Sequence, residues 1–319
     1  MQKIVGSTTI ARIKNQGDMD KFVHSLGLTS EYLIIKPNWV QARDGTYTDA
    51  KVLDMFLTAA KKKTVIVESY TFWRTDKYAV GAGDYFSSKE GDLIKGKQYW
   101  DHFKRQDQWF LAATGIGDVL KKHKVKYVNV TNEVWLGKAA DTEVIKKITE
   151  EKYQPVKFKE LYSYIPTELF DLKGSDFISF SKAKKEHEYS FTLSTKNLFG
   201  LIPDPTRYPK YHGDDDELLA ESIADINKIY RSLFNCIFVV DGVFTASWNK
   251  SMEESMPVKD WGVILGGMNS IEVDMIGASL LKAEAPQDGI DTLAVSKDTF
   301  GSFNDNLTAK IPEEFLIKY

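Results

Sequence analysis

Apolar residues arrive in short continuous runs separated by stretches with helical spacing. Residues 32–35 form one such run, the pattern of a strand buried on both faces. Residues 64–67, 125–130, 177–180, 237–240 and 261–265 repeat it. Between the runs, the spacing predicts helices over 48–61, 112–122, 142–151, 217–234 and 271–281. In the fourth of these, Leu218, Leu219, Ile223, Ile226 and Ile229 fall on one helical face. Residues 3–5 and 9–13 read as an opening strand pair, and 18–26 as a short helix stopped at Gly27. Residues 155–158 and 160–163 read as short strands, and 166–172 as a helical turn. Gly266 and Gly267 read as a turn, with Ser270 as a helix cap. Strand–helix–strand order implies right-handed parallel units. The expected class is α/β, a largely parallel sheet flanked by helices, in one domain over 1–319.

Two segments break the pattern. Residues 70–110 are rich in aromatics, glycine and charge, with weak periodicity, and read as an irregular cap or lid insertion. Residues 282–319 read as a strand or two with loops, a peripheral C-terminal segment.

Polar residues cluster where the predicted strands end. Lys36 and Asn38 follow the run at 32–35, Glu68 and Ser69 follow 64–67, and Asp241 follows 237–240. In open parallel sheets ligands bind outside the C-terminal strand ends. Lys36 and Asn38 also fit a plain proline turn around Pro37. Asp274 falls among Val273, Met275 and Ile276, so it needs a partner if buried.

Composition narrows the chemistry. The net charge of −3 offers nucleic acid no overall attraction. Cys236 is the single cysteine, which excludes an intramolecular disulfide and any cysteine-ligated cluster built from this chain alone. No iron–sulfur cluster is expected. No run of about 18 apolar residues occurs, and the first residues carry no apolar core of signal-peptide length. The expectation is a cytoplasmic protein with neither membrane nor nucleic acid as partner; its oligomeric state is not legible here.

The densest chemistry lies in residues 181–213, between a predicted strand and a long helix. This stretch holds His187, Lys196, Arg207 and His212. Histidine titrates near neutral pH and moves protons. Lysine holds an anion, or acts as a nucleophile when desolvated. Arg207, between two prolines, has the fork for a carboxylate or phosphate. His187 in a lysine- and glutamate-rich run also fits a solvated surface patch. His212 also fits a simple pairing with an aspartate of the triplet 214–216, whose carboxylates suit the start of the next helix.

Several motifs together resemble a known family. They are Ile34-Ile-Lys-Pro-Asn38, Val65-Ile-Val-Glu68, Lys184-Lys-Glu-His187, Leu193-Ser-Thr-Lys-Asn-Leu-Phe-Gly200, His212, Val239-Val-Asp-Gly242 and the segment from Gly262 to Asp274. In this order they resemble the family catalogued as domain of unknown function 362. Many members carry a ferredoxin-like cysteine cluster, which this chain lacks. A more distant resemblance joins His187, Lys196 and His212 to the nickel-pincer lactate racemases. That resemblance implies Lys196 as the tether of a nucleotide-derived cofactor, His212 as ligand to a divalent metal, and His187 as proton-transfer base. The proline-glycine pair of that family is replaced here by Phe199-Gly200.

The functional expectation is an enzyme of proton-transfer type, isomerase- or racemase-like, acting on a small anionic metabolite. His187, Lys196 and His212 are its candidate catalytic residues. Lys36, Asn38, Glu68, Lys184, Asn197, Arg207 and Asp241 are its candidate ligand-binding residues. The alternative is a non-catalytic protein that holds a small ligand or cofactor at the same rim.

Overall fold

The computed structural model describes residues 1–42, 44–71, 74, 99–184, 193–203, 207–213, 215–245, 259–282 and 291–318. Eight strands form one sheet: β1 (Gln2–Val5), β2 (Thr8–Arg12), β3 (Tyr32–Lys36), β4 (Lys63–Glu68), β5 (Lys126–Asn129), β6 (Asp176–Lys182), β7 (Asn235–Thr245) and β8 (Lys259–Gly267). Their order is β1-β2-β8-β7-β6-β3-β4-β5. From β7 across to β5 every pairing is parallel. β8, β2 and β1 extend the sheet antiparallel. The class is α/β, as the pattern of runs predicts.

Side chains of the parallel strands alternate between two buried layers. Leu33, Ile35, Ile66, Ile178 and Phe180 pack with Phe22 and Phe56 of the helices Gln16–Ser25 and Ala50–Ala60. Ile34, Val65, Val67 and Phe177 point the other way, onto Ile223, Ile226 and Tyr230 of the helix Leu219–Leu233. Burial on both faces explains why these strands read as unbroken apolar runs. A third cluster joins Phe238, Val240, Val263 and Leu265 to Val273 and Ile276 of the helix Ser270–Leu280.

Some local expectations are corrected. Residues 155–163 contain no strand; Lys159–Ser163 is a 3₁₀ turn. Gly266 and Gly267 are the last residues of β8, where Gly266 pairs with Thr9 and Val239. An added Cβ there would meet Phe22 and Leu26, so close helix packing, not a turn, demands the glycine. The expected helix 112–122 is split at Thr114-Gly115, where Gly115 has φ +70°. Asp49 caps Ala50–Ala60, and Asn269, one residue before the expected Ser270, caps Ser270–Leu280. The described part of 282–319 is helical, in Ala294–Phe300, Asp305–Lys310 and Glu313–Phe315, rather than strand. Leu307, Phe315 and Ile317 are buried in the third cluster. Of the expected cap, 72–73 and 75–98 lie outside the described residues, while Trp100–Ala113 is a regular helix.

The chain moves from β3 outward to β4 and β5, then returns to the opposite side of β3 as β6 and β7. This reversal between β3 and β6 is a topological switch point, where connections diverge and leave a crevice beyond the strand ends.

Candidate functional site at the switch point

The segment Ser194–Leu201 fills that crevice, as a short helix, Ser194–Asn197, followed by a 3₁₀ turn, Leu198–Leu201. Leu198, Phe199 and Leu201 anchor it in the layer that holds Ile34. Four residues of helix cannot sustain themselves, because nucleation outweighs so few bonds. Asp274 supplies what is missing. Its carboxylate accepts the Ser194 N–H at 2.8 Å, the Thr195 N–H at 2.8 Å and the Ser194 hydroxyl at 2.5 Å. The acid placed among apolar neighbours thus has its partner across the fold. Burial raises its pKa, against the pull of those hydrogen bonds.

Asn197 locks the other end of the short helix. Its amide donates to the Lys36 carbonyl at 3.0 Å and to Ser179 Oγ at 3.1 Å. Its Oδ1 accepts from Lys36 Nζ at 3.3 Å and Asn38 Nδ2 at 3.2 Å. One side chain therefore ties both sides of the switch point, β3 and β6, to the overlying segment.

Lys36 is buried and has one acceptor for each ammonium proton. These are Glu68 Oε2 at 2.9 Å, the Pro37 carbonyl at 2.7 Å and Asn197 Oδ1. Burial lowers its pKa to about 8, with Glu68 opposing the fall and Arg74 and Arg207 adding to it. Glu68 also accepts the Trp39 N–H at 3.2 Å and the Ser69 N–H at 3.0 Å. Gly200 lies directly over this pair. A Cβ there would stand 2.9 Å from Lys36 Nζ and 3.5 Å from Glu68 Oε1. The glycine is required by close approach.

A second layer of charge backs Glu68. Arg74 donates to the Asp107 carboxylate and the Ser69 carbonyl. Tyr127 donates to Asp107 Oδ1 at 3.1 Å, and Asn129 Nδ2 donates to the Tyr127 hydroxyl at 3.2 Å. Burial pushes Asp107 up, while Arg74 and Tyr127 pull it down. Sequence reasoning missed these residues. Arg74 and Asp107 are 33 positions apart, and nothing local pairs them.

His212 closes the helix Arg207–His212 and is buried. Its Nδ1 meets the Asp216 carboxylate, and its ring packs edge-on against Phe199 at 5.0 Å between centroids. Burial lowers its pKa; Lys196 and Arg207 push the same way and Asp216 opposes them. Asp216 therefore serves His212 instead of capping the next helix, whose cap position is Leu218. The Arg207 guanidinium lies over the Phe199 ring at 5.8 Å and donates to the carbonyls of Gly200 at 2.9 Å and Ile202 at 3.3 Å. Arg207 and His212 thus pack on Phe199, next to the locked Asn197, and Lys196 is near enough to His212 to lower its pKa.

The remaining expected site residues fall elsewhere. His187 lies outside the described residues. Lys184 is buried just past β6. Asp241 does not end its strand, since β7 runs on to Thr245. It pairs with Lys182 at 2.8 Å, while Glu68 pairs with Lys36. Glu68 and Asp241 thus belong to separate ion pairs. Among the described residues, no three His, Cys, Asp or Glu side chains gather to hold a metal.

The family described as domain of unknown function (DUF362) matches residues 33–279. The chain belongs to that family. The match spans β3 through Ser270–Leu280, and so includes Lys36, Glu68, Asn197, His212 and Asp274. No curated protein and no solved structure matches the chain. No helix among the described residues is long and apolar enough to cross a membrane.

Proposed function

We propose that this protein binds a small anionic metabolite, a carboxylate or phosphate, at the rim beside Asn197 and exchanges a proton with it through His212. The observation that carries this reading is the surroundings of His212. It is a buried imidazole against a carboxylate, its proton affinity lowered by burial and by the nearby charges of Lys196 and Arg207. A neutral imidazole at neutral pH is a competent base, and an aspartate on its other nitrogen fixes the tautomer. Lys196 and Arg207 supply the charge that holds an anion next to that base. Lys36, Glu68, Asn38 and Asn197 act beneath them, holding the platform rather than touching the ligand, because the Lys36 ammonium is already fully bonded within the protein.

The test is a titration of the full chain with inorganic phosphate and, separately, with a small carboxylate such as malonate. Binding is read from the NMR signals of His212. Binding of either anion should shift those signals, and Lys196→Ala should weaken it by about tenfold, the effect of losing one charge-assisted contact of about 1.4 kcal/mol. Unperturbed His212 signals at saturating levels of both anions, or undiminished binding in Lys196→Ala and His212→Ala, would remove the proposal.

A further inference from the structure

A second buried lysine differs from Lys36 in a way that ordinary ion pairing does not explain. Lys182 ends β6, and Asp241 is its register partner on β7. Both side chains have 0% exposure, and Lys182 Nζ lies 2.8 Å from Asp241 Oδ2. Alternation along β6 puts Lys182 on the same face as Ile178 and Phe180, inside an apolar layer that also holds Val239, Val243 and Ile264. Lys36 has three acceptors for its three protons. Among the described residues, Lys182 has one, Asp241 Oδ2.

A third carboxylate completes the arrangement. Asp49 Oδ1 caps the helix Ala50–Ala60 through the Val52 N–H at 3.0 Å. Its Oδ2 is buried, accepts no hydrogen bond, and lies 3.6 Å from Lys182 Nζ. Lys182 and Asp241, both with no exposure, and the buried Oδ2 of Asp49, whose side chain is 21% exposed, are therefore held together. Such fixed proximity replaces the entropy cost of bringing reactants together, and exclusion of water removes the solvent that opposes condensation.

We propose that Lys182 and Asp241 become joined by an amide bond between their side chains, formed by the protein itself with Asp49 as proton carrier. The neutral Lys182 amine attacks Cγ of protonated Asp241. A C–N bond forms, the C–O bond to the acid hydroxyl breaks, and the hydroxyl departs as water. Asp49 takes the proton released by the amine and delivers it to the leaving hydroxyl. Charge and atoms balance with no oxidant or co-reactant. Burial raises the Asp241 pKa, the direction the step requires; Lys182 and the Val243 N–H pull it down and the Asp49 charge adds to the rise. The product would staple adjacent parallel strands across 59 positions of sequence.

The test is the mass of the full-length chain under denaturing conditions, followed by peptide mapping after proteolysis. The expected result is a chain lighter by one water, with the peptides of Lys182 and Asp241 recovered as one branched species. Lys182→Arg and Asp49→Asn should each restore the full mass. A wild-type chain at full mass overturns the proposal. So does a water loss that persists in Lys182→Arg, because Asp241-Gly242 can also lose water as a cyclic imide without any lysine.

Discussion

Replacing Lys36 by Met removes the cation on which three segments converge. The methionine keeps the length of the stem, so packing changes little and the loss is electrostatic. Three hydrogen bonds vanish, to Glu68, Pro37 and Asn197. Glu68 is then a buried carboxylate without its counter-charge. Breaking a buried pair from one side costs about 3–5 kcal/mol. Glu68 keeps the N–H groups of Trp39 and Ser69, which places the expected loss near the lower end, about 3 kcal/mol. Adding Glu68→Gln to this background removes the stranded charge while leaving an oxygen for those N–H groups. That double variant should regain about 1–2 kcal/mol over Lys36→Met alone. Urea unfolding followed by tryptophan fluorescence reads both changes as shifts of the midpoint at constant slope. A Lys36→Met chain within about 0.5 kcal/mol of wild type would refute the reasoning, since surface changes alone give that much. A double variant less stable than the single one would also refute it.

Asp274→Asn presents an amide to the Ser194 and Thr195 N–H groups, and should cost about 2–3 kcal/mol in urea unfolding because charge-assisted bonds are lost at a buried helix start. Unchanged stability would show that the short helix does not depend on this carboxylate. Gly200→Ala drives a methyl into the Lys36–Glu68 pair and should cost about 1–3 kcal/mol, with Lys36→Met relieving part of that cost; additive losses would count against the contact. Because the folded-state pKa of His212 lies below its ordinary 6.5, its contribution to stability is fully present above that value. It is lost as pH falls through the native value, when the unfolded chain takes up a proton that the native state resists. Lys196→Ala should raise the His212 pKa in an NMR titration, and an unchanged value would mean that the two side chains do not share a site.

Much of the candidate site was legible one residue at a time. Lys36, Asn38 and Glu68 stand out because they follow apolar runs, and parallel strands deliver their ends to one rim. Lys196 and His212 were singled out by chemistry within a polar stretch; the fold packs His212 against Phe199 and leaves Lys196 near enough to lower its pKa. The roles were harder. Lys36 looked like an anion binder, yet its three acceptors are all within the protein. Asp241 looked like a rim residue because the apolar run stops at Val240, but the β7–β8 pairing carries the strand to Thr245. The aspartate triplet looked like capping, but Asp216 turns to His212.

The sequence by itself determined the class of fold, the strand runs and most helices, because periodicity records which faces are buried and needs only neighbours a few positions apart. It also marked Asp274 as an acid in need of a partner. Only the tertiary structure decided what that partner was, 80 positions away at Ser194, and that Arg74 and Asp107 belong to one network. It alone showed that Lys36 and Lys182, both following apolar runs, have opposite supplies of acceptors. Local pattern fixes whether a side chain is buried, whereas the energy of a buried charge is set by the groups that long-range topology brings within about 4 Å.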